Sequence, residues 1–333
     1  MNHSTIMAME AREAPSRIKE QLMANAEKVQ QVVGVINTKK PKFVYIVGRG
    51  SSGHAGIFAK YLIEIEIGLP VVSAAPSVAS IYHKSLQLAD AFVIVISQSG
   101  RSPDLLAQAD MAKKSGAVVL ALVNDISSPL ASMADYSLPL NVGEEKAVAA
   151  TKSYLATLSA ILHLVSVWSA KPSLMDAVQQ LPALMQQAVD LPVQLNTAAL
   201  INVKHLVVLG RGLGYAVSRE IALKLKEVCG IQAEAFSSAE FLHGPVTLIK
   251  DSFTIIDVSI NDETIAAHSQ QITDTTSRGA AVLQLHHQPI VAHQRLLPLL
   301  VLQRFYIDVE VVARDLGIDP DAPVGLNKVT KTL

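Results

Sequence analysis

The sequence predicts an α/β protein with two tandem, doubly wound parallel-sheet domains, and two observations lead to this fold class. The first is an internal repeat: an apolar strand-like run before Gly48-Arg49-Gly50 returns before Gly210-Arg211-Gly212, at an offset of 162 residues. The second is that short runs rich in Val and Ile, without polar alternation, are separated by helical stretches. Such runs are typical of parallel strands whose sheet is covered by helices on both faces.

The repeat keeps its register along the chain and therefore indicates the domain boundaries. The apolar run 92–96 before Ser97 corresponds to the run 253–256 before Ser259. We expect five segments, in chain order: an N-terminal helical arm over residues 1–40, a first domain over 41–170, a helix and linker over 171–200, a second domain over 201–319 and a tail over 320–333. The prolines and the glycine of the tail indicate either a disordered end or a lid.

Composition and charge exclude several classes of protein. The 333 residues carry a formal net charge of −1, so the chain lacks the basic excess that nucleic-acid binding requires. Its single cysteine, Cys229, excludes an intramolecular disulfide, and the N-terminus lacks the pattern of a signal peptide, so we expect a cytoplasmic protein. The apolar stretch 154–168 is too short to span a bilayer comfortably and is predicted to be a buried helix, so no membrane partner is expected.

A serine-rich loop follows the predicted strand 91–96. Besides Arg101, its polar residues are Ser97, Gln98, Ser99 and Ser102. Ser102 is a good N-cap and Pro103 suits the first position of the next helix, whose N-terminal N–H groups and partial positive charge favour an anion. An ordinary capped turn is the alternative, but ligands of open α/β sheets usually bind at the carboxyl ends of strands. We therefore expect the loop to bind a phosphate.

A glycine turn follows the first predicted strand. Residues 48–53 formally match the G-x-G-x-x-G dinucleotide fingerprint, but the next strand offers no acidic residue for a ribose, and the second copy has Tyr215 in place of the third glycine. We expect a tight turn whose Ser51 and Ser52 line the same pocket as the serine loop. The second copy lacks the serine loop, since Ser259 is followed by Ile-Asn-Asp, which indicates that the two halves have different roles.

The second half offers acidic, basic and histidine side chains instead. Glu220, Lys224 and Glu227 are spaced four and three residues apart on a predicted helix and therefore share one face. By spacing alone, a solvent-exposed row of ion pairs is the favoured interpretation. His243 follows in a loop, where a packed histidine is an equal alternative. Glu240 with His243 lacks the second ligand pair that a metal site of this kind needs, so no metal is expected.

Six motifs in order resemble those of the sugar isomerase (SIS) family, specifically the isomerase half of glucosamine-6-phosphate synthase and the SIS-type amino-sugar-phosphate deaminases. The motifs are Gly50-Ser51-Ser52, Ser97-Gln98-Ser99-Gly100, Val148-Ala149-Ala150-Thr151-Lys152, Leu223-Lys224-Leu225-Lys226-Glu227, Phe241-Leu242-His243-Gly244-Pro245 and Leu326-Asn327-Lys328. The resemblance covers nearly the whole chain and implies two flavodoxin-like SIS domains.

The resemblance also implies roles for individual residues. Those that would hold or line the site of a phosphorylated amino sugar are Ser51, Ser52, Ser97, Gln98, Ser99, Ser102, Val148 and Lys224. Glu227 matches a general base that moves a proton between C1 and C2, His243 matches an acid/base that opens the sugar ring, and Lys328 matches a catalytic lysine on the tail. The family further implies a homodimer whose active site borrows a histidine from the other subunit, and no metal or other cofactor.

Departures from the synthase pattern favour the deaminase branch. The chain has no cysteine before Cys229, so we expect no glutamine-hydrolysing domain, and Arg101-Ser102-Pro103-Asp104 stands where the synthase has a Glu-Thr pair. The expected reaction is the isomerising deamination of glucosamine 6-phosphate to fructose 6-phosphate and ammonia. Two alternatives stay open: another SIS enzyme, acting on galactosamine 6-phosphate or a fructosamine phosphate, and a non-enzymatic phosphosugar sensor.

Overall fold

The computed structural model describes residues 4–250, 253–326 and 328. These residues fall into two compact units. The N-terminal unit comprises Ser16–Glu145 and Lys152–Gln179, and the C-terminal unit comprises the residues up to Pro15, Lys146–Thr151 and Gln180–Lys328. The short segment 146–151 therefore belongs with the second half of the chain, although it follows the first sheet in sequence.

The N-terminal unit contains a five-stranded parallel sheet with the strand order β2-β1-β3-β4-β5. The strands are β1 (Phe43–Val47), β2 (Val71–Ser73), β3 (Ala91–Ile96), β4 (Val118–Val123) and β5 (Tyr136–Pro139). All six residues of the central strand β3 are buried, as expected in a doubly wound sheet. The order is that of flavodoxin-like folds, in which ligands bind where the strand order reverses, here between β1 and β3.

Seven helices belong wholly or partly to this half of the chain. They are α1 (Ile6–Lys39), α2 (Gly50–Glu66), α3 (Ser77–Ser80), α4 (Pro103–Lys114), α5 (Pro129–Met133), α6 (Lys152–Ser169) and α7 (Pro172–Val189). Helix α6 contains the apolar stretch that was predicted to be a buried helix, and its residues from Lys152 to Ser166 are buried. Within residues 4–250, 253–326 and 328, no helix is long and apolar enough to cross a membrane.

The C-terminal unit contains a four-stranded parallel sheet with the order β7-β6-β8-β9. Its elements are α8 (Thr197–Leu200), β6 (His205–Gly210), α9 (Leu213–Cys229), β7 (Gln232–Ser237), α10 (Ser238–Phe241), a 3-10 helix (Pro245–Leu248), β8 (Thr254–Val258), α11 (Ile265–Ser277), β9 (Ala281–Leu285) and α12 (Leu297–Asp315). The sheet repeats the order of the first four strands of the N-terminal sheet. The predicted fold class, two tandem parallel-sheet α/β domains, is confirmed.

The two sheets share the same tight turn after their first strand. A Cβ on Gly48 would lie 2.7 Å from the carbonyl carbon of Ser52, and a Cβ on Gly210 would lie 2.6 Å from that of Gly214. In each copy the glycine two residues later has a positive φ, 51° and 53° respectively. Only glycine permits this close approach of strand end and helix start, so the repeated glycines have a backbone role.

Two helix positions differ sharply between the copies. Helix α2 packs against α6 and buries Phe58 and Leu62 completely. At the repeat offset of 162, the corresponding residues of α9 are Glu220 and Lys224, which are also buried, and α9 packs against α12. Positions filled by hydrocarbon in the first half therefore hold charges in the second.

The tail packs onto the C-terminal unit at Asp321. The Asp321 carboxylate accepts hydrogen bonds from the backbone N–H groups of Ile6 (2.9 Å) and Met7 (2.8 Å), at the start of α1. Its backbone oxygen accepts a hydrogen bond from the N–H of Val148 (2.9 Å). These bonds give this part of the tail a defined course, and positions 327 and 329–333 of the predicted tail lie outside the described residues.

Candidate active site

The serine loop begins at the carboxyl end of β3, where Ser97 is buried. The Ser97 Oγ accepts a hydrogen bond from the backbone N–H of Gly100 (3.1 Å). The backbone oxygen of Gln98 accepts from the N–H of Asn124 (3.1 Å), and that of Gly100 accepts from the N–H of Leu130 (3.2 Å). The loop is thus held by its own first serine and by the segment that follows β4.

Gly100→Ala is expected to distort this loop. Gly100 has a φ of 63°, and a Cβ there would lie 2.2 Å from Ser128 Oγ. We expect the Kd for glucosamine 6-phosphate, the ligand that the resemblance implies, to rise about tenfold. The free energy of unfolding should fall by about 1–3 kcal/mol. Calorimetric titration and thermal unfolding measure the two effects.

Gly116→Ala is the matched control, because Gly116 also has a positive φ (84°) but a Cβ there meets nothing within 4 Å. Its backbone strain should cost about 1 kcal/mol of stability and leave the Kd unchanged. Equal Kd values for the two variants would contradict a role of the serine loop in binding.

Apart from Arg101, which is exposed and pairs with Asp125 (2.6 Å), the remaining polar side chains of the loop are half-buried. Those of Gln98, Ser99 and Ser102 form no hydrogen bond with another residue in the part of the chain that the structure describes. Ser102 is the N-cap residue of α4, as predicted, but its hydroxyl makes no capping hydrogen bond. The structure therefore places three polar side chains beside a helix N-terminus, an arrangement that favours an anion.

An ion pair joins the glycine turn to α4, the helix that follows the serine loop. Arg49, directly before α2, pairs through Nε with Oδ2 of Asp104 in the first turn of α4. The Asp104 side chain is completely buried, whereas that of Arg49 is 43% exposed. Ser51 and Ser52 lie in the first turn of α2, next to Arg49 in sequence. The structure thus brings the predicted serines of both loops to the carboxyl edge of the N-terminal sheet.

The corresponding loop of the C-terminal unit carries carboxylates. Oδ1 of Asp262 accepts hydrogen bonds from the backbone N–H (2.8 Å) and the hydroxyl (2.5 Å) of Thr264. Glu263 forms a two-pronged ion pair with Arg295, with both N–O distances at 2.7 Å. Acidic side chains at this place repel a phosphate, which agrees with the expectation that the two halves have different roles.

The Glu263–Arg295 pair predicts a pH dependence of stability. Hydrogen bonds from Arg295 lower the pKa of Glu263 to about 2, below its ordinary 4.5. A carboxyl whose pKa is depressed by folding stabilises the protein above its unfolded pKa, and this contribution is lost as the pH falls towards 2. Because the Glu263 side chain is 59% exposed, solvent screening limits the contribution to about 1 kcal/mol or less.

We expect Glu263→Gln to have a lower free energy of unfolding than the unmodified protein above pH 5. The difference in this free energy should shrink between pH 4.5 and pH 2. Urea unfolding across this range checks it. Glu234→Gln, an exposed Glu on β7, is the control and should show no such trend. A difference that stays constant with pH would mean that the ion pair does not set the stability of this loop.

Helix α9 places a buried lysine between two carboxylates. Lys224 Nζ lies 3.2 Å from Glu220 Oε1 and also donates a hydrogen bond to Glu227 Oε2. The Lys224 and Glu220 side chains are 1% and 0% exposed, and that of Glu227 is 16% exposed. The predicted solvent-exposed row of ion pairs is therefore wrong. The physical reason is α12, which covers this face of α9 and whose Tyr306 hydroxyl donates a hydrogen bond to Glu220 Oε1 (3.3 Å).

The charge state of this cluster follows from its contacts. Burial lowers the pKa of Lys224, but the two carboxylates beside it outweigh burial, and the pKa lies above its ordinary value. The ammonium is therefore charged at neutral pH. Glu227 is the only one of the three side chains with appreciable exposure, so it is the one that can meet a substrate. A partly exposed carboxylate that is held in place by a fixed ammonium is suited to accept and return a proton.

His243 lies in the loop after α10 and is exposed. Its backbone N–H donates a hydrogen bond to the backbone oxygen of Glu240 (3.0 Å). The alternative of a packed loop histidine is therefore wrong. In the described parts of the chain, no group of three His, Cys, Asp or Glu side chains is placed to hold a metal ion.

Two further predicted site residues come together in the C-terminal unit. Lys328 Nζ donates a hydrogen bond to the backbone oxygen of Ala147 (2.7 Å), next to the half-buried Val148. Glu227 and His243 belong to the same unit, and the serines of the glycine turn and the serine loop belong to the N-terminal unit. Asn327, part of the same predicted motif as Lys328, lies outside the described residues.

Sequence reasoning missed two contributors to these sites. Tyr306 bonds Glu220 across a separation of 86 residues, and Arg49 reaches Asp104 across 55. Spacing rules operate within one helix or strand, so neither contact leaves a local pattern. Cys229, at the end of α9, is buried, which raises the pKa of its thiol to about 12, so it does not serve as a nucleophile.

Comparison with known proteins gives relatives over most of the chain. A structure from Silicibacter pomeroyi, of a protein assigned as a phosphosugar isomerase, is 35% identical and superposes with a TM-score of 0.90 over 96% of this chain and 100% of that one. Glutamine–fructose-6-phosphate aminotransferase (isomerizing) of Symbiobacterium thermophilum is 33% identical over 313 residues, which are 86% of this chain and 51% of the relative. A glucosamine-6-phosphate deaminase structure from Thermotoga maritima, 21% identical with a TM-score of 0.80 over 98% of this chain and 100% of that one, shares the fold.

Two parallel α/β units with the same glycine turn after the first strand define a tandem doubly wound protein. The SIS domain model matches residues 39–167 and 199–295, and the chain therefore belongs to the SIS domain family. This confirms the resemblance seen in the motifs. The chain spans about half the length of the curated aminotransferases it matches, 56% and 51% for the relatives from Sulfurisphaera tokodaii and Symbiobacterium thermophilum.

Proposed function

We propose that the protein catalyses the isomerising deamination of glucosamine 6-phosphate to fructose 6-phosphate and ammonia. The observation that carries the proposal is the partly exposed Glu227 carboxylate, which is fixed by the buried ammonium of Lys224. The isomerisation needs one base that removes the proton from C2 and delivers a proton to C1. A single carboxylate in a fixed position performs both transfers.

In the proposed reaction the phosphate is bound by the serine loop and by Ser52, with Ser51 and Val148 lining the site. Binding energy from the phosphate, which does not react, positions C1 and C2 for the proton transfer. The half-buried side chains of Gln98, Ser99 and Ser102 beside the N-terminus of α4 support this role.

The remaining groups have one step each. His243 donates a proton to the ring oxygen as the bond between C1 and this oxygen breaks, and the C1 hydroxyl gives up its proton to water, which frees the C1 aldehyde. Glu227 then takes the proton from C2, and the electron pair of that bond forms the enolamine, whose developing charge is stabilised by Lys328. Return of the proton to C1 gives a ketimine at C2. Water adds to this carbon and ammonia leaves, which yields fructose 6-phosphate.

The test is a direct assay. Purified protein with glucosamine 6-phosphate should release ammonia and fructose 6-phosphate in equal amounts in the presence of a chelator and without nucleotide. Absence of ammonia with a panel of hexosamine phosphates would disprove the deaminase proposal. Release of ammonia from galactosamine 6-phosphate alone would support the deamination but show that this sugar phosphate is the substrate.

A second candidate is the isomerisation of a phosphosugar without release of ammonia. It is favoured by the whole-length, 35% identical relative that is assigned as a phosphosugar isomerase. In that case the protein should interconvert glucose 6-phosphate and fructose 6-phosphate, and should release no ammonia from any hexosamine phosphate. The same base, Glu227, would serve both reactions.

The proposal includes the oligomeric state and the location of the protein. The SIS resemblance implies a homodimer in which His243 is supplied by the second copy, and the exposure of this side chain in one chain is compatible with that role. A cytoplasmic location is proposed on the basis of the single, buried cysteine.

A further inference from the structure

We infer that Glu10, in the N-terminal helix α1, is a positioning residue for Lys328. The inference rests on the proposed function, in which Lys328 stabilises the enolamine. Glu10 is a buried carboxylate, 4% exposed, and lies more than 300 residues before Lys328 in sequence. None of the motifs in the sequence includes it.

The contacts of Glu10 are to the backbone that holds Lys328. Glu10 Oε1 accepts a hydrogen bond from the N–H of Lys146 (2.5 Å), and Oε2 accepts from the N–H of Ala147 (3.2 Å). On the other side of the same residue, the Ala147 oxygen accepts the hydrogen bond from Lys328 Nζ (2.7 Å). Ala147 is therefore bound by Glu10 through its N–H and by Lys328 through its oxygen.

The tail is attached to the same helix by a second set of bonds. The Asp321 carboxylate caps the first turn of α1 at Ile6 and Met7, and its backbone oxygen binds the N–H of Val148. Helix α1, the segment 146–148 and the tail thus form a closed circuit of hydrogen bonds. Hydrogen bonds that a buried carboxylate accepts are charge-assisted and stronger than neutral ones, so Glu10 restrains this segment firmly.

A glutamine cannot replace Glu10 in this geometry. A carboxylate accepts hydrogen bonds at both oxygens, whereas the amide of glutamine accepts at one atom and donates at the other. Glu10→Gln keeps the size of the side chain, but its amide NH2 group then lies opposite one of the two backbone N–H groups, so that two donors face each other. The segment 146–147 then shifts, and with it the ammonium that binds the Ala147 oxygen. A displacement of about 1 Å at a catalytic group can cost about a hundredfold in rate.

The first readout is lysine accessibility, which does not depend on catalysis. Protein is acetylated briefly with an N-hydroxysuccinimide ester and cut before aspartates, and the labelling of Lys328 is measured by mass spectrometry relative to Lys42, whose side chain is 75% exposed. We expect Lys328 labelling to rise at least about fivefold in Glu10→Gln. It should stay unchanged in Glu27→Gln, an exposed glutamate of the same helix. Unchanged labelling in Glu10→Gln overturns the inference.

The second readout is kinetic. Glu10→Gln should lower kcat for ammonia release about 10- to 100-fold with KM within about twofold, because the serine loop is untouched. The double variant Glu10→Gln/Lys328→Gln should have the kcat of Lys328→Gln alone, since Glu10 acts through the lysine. If the decreases in kcat of the two single variants multiply in the double variant, the positioning role is overturned. If the unmodified protein releases no ammonia, the proposed function fails, while the labelling result still decides whether Glu10 places Lys328.

Discussion

Replacing Glu227 by glutamine is expected to lower kcat for ammonia release by about a thousandfold and to leave KM within about twofold. The amide keeps the size of the side chain and its hydrogen bond with Lys224 but cannot take the proton from C2. Binding should be retained, because the proposed phosphate contacts lie in the serine loop and at Ser52. Steady-state kinetics and calorimetric titration of glucosamine 6-phosphate measure the two quantities separately. Activity above about a tenth of the original would assign the proton transfer to another group.

Two controls belong to this experiment. Glu234→Gln makes the same change at an exposed position on β7 and should leave kcat unaltered. Coexpression of Glu227→Gln with His243→Ala tests the shared site, because one of the two sites in a mixed dimer then keeps both residues. Random pairing should restore about a quarter of the activity if the partner supplies the histidine, and almost none if it does not.

Lys224→Met is expected to be the most destabilising of these substitutions. It leaves Glu220, whose side chain is 0% exposed, as a buried carboxylate without its cation. Removing one partner of a buried ion pair costs about 3–5 kcal/mol. In a domain of this size we expect the midpoint of thermal unfolding to fall by roughly 6–20 °C. Differential scanning calorimetry measures the shift.

The matched control is Lys226→Met, two residues further along α9 and exposed, which should change the midpoint by about 1 °C or less. The pH dependence of this loss of stability provides a second check, because its direction can be predicted. A buried carboxyl without its cation is destabilising only when ionised, so the deficit of Lys224→Met should shrink as the pH falls from 7 to 5. A deficit that is the same at both pH values would mean that lost packing, not charge, accounts for it.

The sequence predicts the fold and the position of the serine loop because these depend on local patterns. Strand β3 is a continuous apolar run, and the turn at Gly48 is repeated at Gly210, so both are visible without tertiary information. The placement of Ser102 at the start of α4 follows from the adjacent proline. The pattern does not predict how the Ser102 hydroxyl is used. In the structure this hydroxyl makes no capping hydrogen bond.

The environment of α9 could not be predicted in the same way. Residues 220, 224 and 227 share a face by spacing, but spacing is equally compatible with solvent and with a neighbouring helix. Burial is decided by α12, which is more than 60 residues further along the chain and whose Tyr306 binds Glu220. The contacts of Glu10 have the same origin, since its partners at 146–147 are 136 and 137 residues away.

The contrast between α2 and α9 bears on how such a protein can evolve. Replacing a buried ion cluster by hydrocarbon of similar volume is often neutral or stabilising by about 1–4 kcal/mol. The first half shows that this backbone accepts Phe58 and Leu62 at the positions where the second half has Glu220 and Lys224. Selection for heat resistance alone would therefore favour hydrocarbon at these two positions of the second copy, which would remove the ammonium that holds Glu227 in the proposed reaction. In the proposed function, the ion cluster of the second half is therefore a cost in stability that holds Glu227 in place for proton transfer.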